Sequence, residues 1–321
     1  MQIKLDEYDK KLLFELDKNS RQGYTELAKK LKLSKDTIKY RINNHLKNGL
    51  IDGFYALINS SKLGFYSIRV YFNFKEMSNI EEEKAILELK KSKHVFYISK
   101  IEGEYEFGIG YFCKSFSEFQ EFWNKFKMKF PNKILNERAV LFLSLTHFNR
   151  NYFSKSKTFQ KKYQIINEPS SEKIDEKNLK ILNFLSKNAR MPIVEICEKI
   201  GLTPKAVILR IKEMEKRGII LGYKTKLNLE KINISMYKVD INVKDIKKVE
   251  EVKKFIFELP NIIHYEKTLG YSDLEFDIEC EHFEKFEKLI DEIKNRVGKN
   301  ITSIKHYRTV KVFKTIYFPE I

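Results

Sequence analysis

The residues best suited to chemistry lie on one face of a predicted helix that follows Ser34. Ile38, Ile42 and His45 recur at helical spacing and mark the inward face of that helix. The outward face then carries donors, acceptors and an aromatic ring, on Lys35, Asp36, Lys39, Tyr40 and Asn43. Such side chains on an exposed helix are suited to contacts with base edges and phosphates in the DNA major groove. The predicted contact set is Ser34, Lys35, Thr37, Lys39, Tyr40, Arg41 and Asn43.

A second helix of the same kind follows Thr203, with Val207, Ile211 and Met214 facing inward. Its outward face consists of Lys205, Ala206, Ile208, Leu209 and Lys212. Two apolar residues replace the Lys–Tyr pair of the first helix, so we expect a weaker or differently specific DNA reader. The predicted contacts here are Thr203, Lys205, Arg210 and Lys212. For Arg41 and the matching Arg210, the sequence leaves open a phosphate contact or a surface ion pair.

The two helices belong to a repeat that fills most of the chain. Shifted by 169 positions, residues 5–54 lie on 174–223 without a gap, and seventeen of the fifty pairs are identical. The match continues more weakly at a shift of 167, which aligns Gly103 with Gly270 and Cys113 with Cys280. We therefore predict helix-turn-helix domains at 1–60 and 174–229, α+β domains at 61–153 and 230–321, and a linker at 154–173.

Each α+β domain is predicted to follow the order βαββαβ, which is typical of a ferredoxin-like fold. In copy one, alternating apolar residues predict strands at 66–74, 95–101, 106–113 and 141–148, and helices at 79–91 and 116–130. In copy two, the strands are predicted at 235–243, 262–269, 273–280 and near 304–316, and the helices at 247–259 and 283–297.

Composition narrows the class of protein and of partner. The 321 residues carry 61 Lys and Arg against 44 Asp and Glu, and the net charge of +17 favours an anionic partner, nucleic acid first. No apolar stretch is long enough to span a bilayer, and the N-terminus resembles no signal segment. Three cysteines without a CxxC pair favour a reducing cytoplasm over a disulfide or zinc framework. His45 has no Cys or His at ligand spacing, so packing is preferred to a metal or catalytic role.

The helix-turn-helix residues resemble the leucine-responsive/asparagine (Lrp/AsnC) family of transcriptional regulators. The matching motifs are Asn19-Ser20-Arg21, Glu26-Leu27-Ala28, Arg41-Ile42 and Gly49-Leu50-Ile51-Asp52-Gly53-Phe54, and copy two carries their equivalents. The resemblance implies a winged helix-turn-helix joined to an α+β domain that dimerises and often binds an amino acid or similar effector. Two copies in one chain then suggest a covalent pseudo-dimer on double-stranded DNA with two unlike half-sites. A higher homo-oligomer stays open, and no membrane partner is expected.

The family's effector loop resembles Thr-Gly-x-x-Asp between the two middle strands. By this resemblance Gly270 and Asp273 of copy two, and Gly103 and Glu106 of copy one, are candidate effector-binding residues. Glycine lets a ligand approach the backbone, and the carboxylate can hold an amino group. The alternative is a tight connection between two strands.

Two rival interpretations remain at this point. Sirohaem decarboxylases resemble the same two-part architecture, and His264-Tyr265 or His94 would then act on a tetrapyrrole. The second rival is an interaction protein whose helix-turn-helix units no longer bind DNA. The polar, basic face that follows Ser34 favours a regulator over both. We predict no catalytic residue, no metal site and no cofactor.

Overall fold

The computed structural model describes residues 2–154, 162–170, 172–270 and 272–319. Copy one begins with three helices and a strand, α1 (Glu7–Lys18), α2 (Tyr24–Leu31), α3 (Lys35–Lys47) and β1 (Ile51–Ile58). Its α+β domain consists of β2 (Tyr66–Phe74), α4 (Asn79–Lys91), β3 (Val95–Glu102), β4 (Phe107–Cys113), α5 (Phe116–Lys129) and β5 (Ile134–His147). A short strand, β6 (Tyr163–Ile166), follows.

Copy two repeats this order. Its first domain contains α6 (Glu176–Lys187), α7 (Ile193–Ile200), α8 (Pro204–Lys216) and β7 (Ile220–Leu227). Its second contains β8 (Ser235–Val243), α9 (Val249–Ile256), β9 (Ile262–Leu269), β10 (Leu274–Cys280), α10 (Phe283–Val297) and β11 (Ile301–Thr315). The winged helix-turn-helix and the βαββαβ order are thus confirmed in both copies.

Three features were not predicted by the residue patterns themselves. The fourth strand of copy one begins at Ile134, seven residues before the predicted start, and β6 lies inside the predicted linker. Strands β1 and β7, which we call the wings, were implied only by the family resemblance. The early start of β5 and the wings depend on pairing with strands distant in the chain, which local propensity does not register, whereas β6 pairs with the preceding strand β5.

The two helix-turn-helix units form one body. The wings pair with each other antiparallel, and a single apolar core contains residues of both units. Each unit also reaches into the other, because the Arg21 guanidinium donates to the Ala189 carbonyl while Arg190 donates to the Ser20 (2.6 Å) and Gln22 (2.8 Å) carbonyls. These reciprocal bonds relate the units by an approximate twofold axis.

The two α+β domains share one sheet that closes on itself. The described strands run in the order β2-β4-β3-β11-β8-β10-β9-β5-β6, and β5 also pairs with β2. The closure depends on two long strands, β5 and β11, each of which pairs with its own copy over its first half and with the other copy over its second half. Helices α4, α5, α9 and α10 cover the outer face over two apolar cores.

Candidate DNA-binding surface and internal cavity

Helix α3 presents the predicted polar face to solvent. The Ser34 hydroxyl begins the helix by accepting the backbone N–H of Thr37 (3.0 Å), which satisfies one of the free N–H groups of the first turn. Ile38, Ile42 and His45 are buried, as the helical spacing predicts. Lys35, Lys39, Tyr40 and Asn43 are exposed, and the Tyr40 side chain is 70% accessible. The local sequence alone is therefore enough to aim this face outward.

Arg41, in contrast, is held by protein contacts. Its guanidinium forms ion pairs with Asp6 (2.9 Å) and Asp9 (2.6 Å) of α1 and its N-cap. The buried His45 ring lies 3.0 Å from the same Asp9 carboxylate. In copy two the equivalent Arg210 pairs with Asp175 (2.5 Å) in the same way. Of the two readings that the sequence left open, the structure favours ion pairs that lock the third helix onto the first.

Helix α8 has the same geometry and a different surface. The Thr203 hydroxyl accepts the Ala206 N–H (3.3 Å), and Lys205 and Lys212 are exposed. Between them Ile208 and Leu209 are 40% and 56% accessible. Apolar side chains can contact thymine methyl groups but supply no hydrogen bonds to bases or phosphates. The two recognition helices therefore differ chemically while the shared core fixes them on one body.

The predicted effector loops hold strands together. The Glu106 carboxylate accepts the Phe74 N–H (3.2 Å), and the Asp273 carboxylate accepts the Val243 N–H (2.8 Å). At Gly103, where φ is +154°, an added Cβ would lie 2.7 Å from the Tyr307 ring. The Gly270 carbonyl accepts from Arg138 (3.1 Å). These contacts favour the strand-connection alternative, because the groups offered to an effector are engaged by the protein.

A cavity of about 1020 Å³ lies between the wings and the inward face of the closed sheet, and we call it the internal cavity. It is lined by residues of both copies. Phe96, Phe112, Phe142 and Phe148 form much of its apolar wall. No motif in the sequence signals it, because its walls come from strands that are far apart in the chain.

Two histidines face each other across neighbouring strands at this cavity. His147 of β5 and His264 of β9 are register partners, and their rings are perpendicular with centroids 4.7 Å apart. The Asp277 carboxylate lies 2.8 Å from His264 Nδ1. Within the described residues His147 Nε2 has no hydrogen-bond partner. Burial first, and then the charges of His264 and Lys224, hold the pKa of His147 well below its ordinary value, so this ring is neutral at pH 7.

A buried charge network crosses the sheet beside the histidines. Arg69 of copy one contacts Glu266 (2.5 Å) and Glu275 (3.4 Å) of copy two. Lys238 contacts the same two carboxylates at 2.5 and 2.9 Å. Asp240 lies 3.9 Å from Lys238, too far for a hydrogen bond, and neither of its oxygens has a partner among the described atoms. The network joins the copies and leaves one carboxyl unsatisfied.

A second buried cluster connects the body formed by the two helix-turn-helix units to the closed sheet. Arg150 pairs with Asp17 of α1 (2.8 Å) and with Glu279 of β10 (2.8 Å). Lys224 of the wing β7 also reaches Asp17 (2.9 Å). Breaking such a pair would leave a buried charge uncompensated, which is strongly destabilising. This cluster therefore holds the helix-turn-helix units against the sheet.

The residues of the enzyme interpretation are dispersed. His264 lines the internal cavity, whereas Tyr265 lies in the apolar core of copy two. His94 pairs with Glu118 (2.8 Å) away from the cavity. In the described part of the chain, no group of three or more His, Cys, Asp or Glu side chains is placed to hold a metal ion. No helix in that part is long and apolar enough to cross a membrane.

Known proteins match this arrangement at three levels. The winged helix-turn-helix DNA-binding family model matches residues 5–52 and 174–220. The transcriptional regulator LrpA of Pyrococcus horikoshii is 40% identical over 88 residues, which are 26% of this chain and 62% of LrpA. An uncharacterised HTH-type transcriptional regulator of Pyrococcus furiosus is 30% identical over 136 residues, 41% of this chain and 86% of that protein.

A solved structure matches the whole length. The siroheme decarboxylase NirDL superposes with a TM-score of 0.64 over 98% of this chain and 94% of its own, at 11% identity, and this likeness shows the fold alone. The two regulators match less than half of this chain, as expected if each corresponds to one copy. The chain therefore belongs to the Lrp/AsnC family of helix-turn-helix transcriptional regulators, in a form that carries the family's two-domain architecture twice.

Proposed function

We propose that this chain is a sequence-specific regulator of transcription that binds double-stranded DNA as a covalent pseudo-dimer. The observation that carries the proposal is the exposed face of α3, where Lys35, Lys39, Tyr40 and Asn43 are all free of the core. The net charge of +17 adds long-range attraction to the phosphate backbone. The names of the relatives support the same class of function.

The pairing of the copies supports one DNA-bound body with two unlike readers. The wings and the reciprocal arginines hold both units in a fixed relation. Paired helix-turn-helix units bind half-sites about one helical turn apart or multiples of it. Because α8 offers Ile208 and Leu209 where α3 offers Lys39 and Tyr40, we expect a binding site whose two halves differ in sequence.

The test is a salt-titrated binding assay on genomic fragments that include the chain's own upstream region. It compares the wild type with Lys39→Ala/Tyr40→Ala and with Lys205→Ala/Lys212→Ala. Lys75→Ala/Lys247→Ala is the matched control, because both lysines are exposed and lie outside the helix-turn-helix units.

The α3 variant is expected to bind a specific fragment about tenfold to a hundredfold more weakly, since each base-reading contact contributes about 1–3 kcal/mol. The α8 variant is expected to lose less affinity. The control is expected to lose only the affinity that two fewer positive charges account for. Weak binding of every fragment, equal in all variants, would refute the proposal and support the interaction-protein alternative.

A siroheme decarboxylase is the second candidate, and one observation favours it. His264 lies in the internal cavity with Asp277 as its carboxylate partner, an arrangement suited to moving a proton. NirDL has been crystallised with an iron-uroporphyrin III analogue. Titration of this chain with iron-uroporphyrin, followed by absorbance, tests the candidate. A spectral change lost in His264→Gln would support it, and an unchanged spectrum would exclude it.

A further inference from the structure

We propose that the internal cavity is a binding site for an amphipathic organic anion with an aromatic body and one acidic group. The inference rests on the regulator proposal for its consequence, since such a ligand would act as the effector. It places the effector away from the strand-connecting loops around Gly103 and Gly270.

The size of the cavity and an unpartnered buried histidine indicate an occupant. Protein interiors are packed with few voids larger than a water molecule, and small-molecule sites span about 300–1,000 Å³. The internal cavity, at about 1020 Å³, lies at the top of that range. His147 is 93% buried at this cavity and offers Nε2 without a partner in the described part of the chain. A buried polar atom of this kind indicates a missing ligand or water.

One wall of the cavity fits a flat apolar body. The Phe96 and Phe112 rings stack with centroids 4.2 Å apart. The Phe96 ring lies directly on Gly110, where an added Cβ would come within 2.4 Å of it. In copy two the position equivalent to Gly110 is Asp277, at the same shift of 167 that aligns the cysteines. The glycine therefore flattens one wall, while the opposite copy supplies a charged one, and this asymmetry would orient a ligand.

The charge left over at the cavity is positive. Among the lining carboxylates, Glu266 and Glu279 each pair with a cation, and Asp277 lies 2.8 Å from the His264 ring. Lys226 and Lys311 also line the cavity, and neither has a carboxylate within 4.0 Å among the described residues.

Two further carboxyls at the lining, those of Asp52 and Glu230, do not cancel that charge. Glu230 is exposed to solvent, as Lys311 is, so both charges are screened there. Within the described part of the chain, the lining comprises eight Lys and Arg side chains against five Asp and Glu side chains, so positive charge is in excess. Two lysines and a neutral histidine are the donors that an acidic group on a ligand would meet.

Occupancy of this cavity would act on DNA binding through its walls. Tyr55 and Lys226 lie on the two wings, which are part of the DNA-binding body. A ligand that contacts the wings and the sheet together would favour one relative position of the two bodies. By linkage, it would change DNA affinity by the factor by which DNA changes ligand affinity.

The experiment is a calorimetric titration of the full chain with two fluorescent probes of matched body. Anilinonaphthalene sulfonate carries the acidic group, and anilinonaphthalene lacks it. We expect the sulfonate to bind at one site per chain, and about tenfold or more weakly to Lys226→Gln/Lys311→Gln, as the loss of a charge-assisted contact predicts. Lys75→Gln/Lys247→Gln, with the same charge change outside the cavity, is expected to bind as the wild type does.

A second pair of variants locates the site by volume. Leu145 lines the cavity, and Leu145→Trp is expected to abolish sulfonate binding, whereas Leu87→Trp on the exposed face of α4 is not. Equal affinity for the two probes, or binding unchanged in both cavity variants, would overturn the proposal. Probe binding is measured without DNA, so failure of the regulator proposal and failure of this one give different results. Sulfonate that binds as expected yet leaves DNA affinity unchanged would overturn the effector role.

Discussion

Replacing Asp240 by Asn should change how stability depends on pH. Burial raises the pKa of Asp240 to about 7, with Glu275 and Glu266 adding to it against the opposing charges of Lys238 and Arg69. The unfolded chain releases this proton near pH 4, as an unperturbed Asp does. Between about pH 4 and 7 the folded state therefore holds more protons, so the free energy of unfolding falls as pH rises through that window.

The magnitude follows from the width of the window. A difference of about three pH units, at about 1.4 kcal/mol each, gives a loss of about 4 kcal/mol by pH 7 and no further loss above it. Asparagine cannot ionise, so Asp240→Asn removes this dependence. The free energy of unfolding of the variant, minus that of the wild type, should therefore rise by about 4 kcal/mol between pH 4 and pH 8.

The assay is urea unfolding of both proteins at pH values from 4 to 8. The slope of the difference with pH is the test, because a constant offset reflects only the changed side chain. Asp291→Asn, at a carboxylate that is exposed on α10, is the control and should run parallel to the wild type. Parallel curves for Asp240→Asn as well would refute the reasoning, since the buried carboxyl would then titrate as it does in the unfolded chain.

Two further predictions concern the DNA-binding body. Arg21→Ala and Arg190→Ala each remove a guanidinium that donates to carbonyls of the other copy, so each should lower the free energy of unfolding by about 2 kcal/mol in urea. Lys29→Ala, at an exposed position of α2, is the control, and equal effects for all three would contradict the reciprocal bonds. Asp9→Ala removes the shared acceptor of a histidine and an arginine and should cost about 2–3 kcal/mol by thermal unfolding, against about 1 kcal/mol for the equivalent Asn178→Ala. Equal losses of stability in the Asp9→Ala and Asn178→Ala variants would show that the ionised acceptor contributes no more than the neutral amide.

The local sequence was sufficient to predict most helices and strands of each copy. The inward spacing of Ile38, Ile42 and His45, and the capping Ser34, predict α3 and its exposed face without any tertiary information. The same holds for β2, β8 and α4, whose bounds match the predicted ranges. The repeat at a shift of 169 also indicated that both copies share one fold.

The contacts of individual polar side chains could not be predicted in the same way. Arg41 occupies an outward helical position and yet pairs with Asp6 and Asp9, because the first turn of α1 lies beside it in the folded chain. Glu106 and Asp273 match an effector motif but bond to neighbouring strands. A motif gives the type of group at a position, whereas its partners depend on chain segments brought there by folding.

The sequence by itself determined the three helices of each helix-turn-helix unit, the two α+β domains and the excess of positive charge, because periodicity, caps and composition are local properties. Only the tertiary structure decided that β5 and β11 each cross into the other copy and close the sheet. That closure depends on pairing between strands more than a hundred residues apart. It buries the Arg69–Glu266 network and forms one side of the internal cavity, whose walls no single segment of the chain contains.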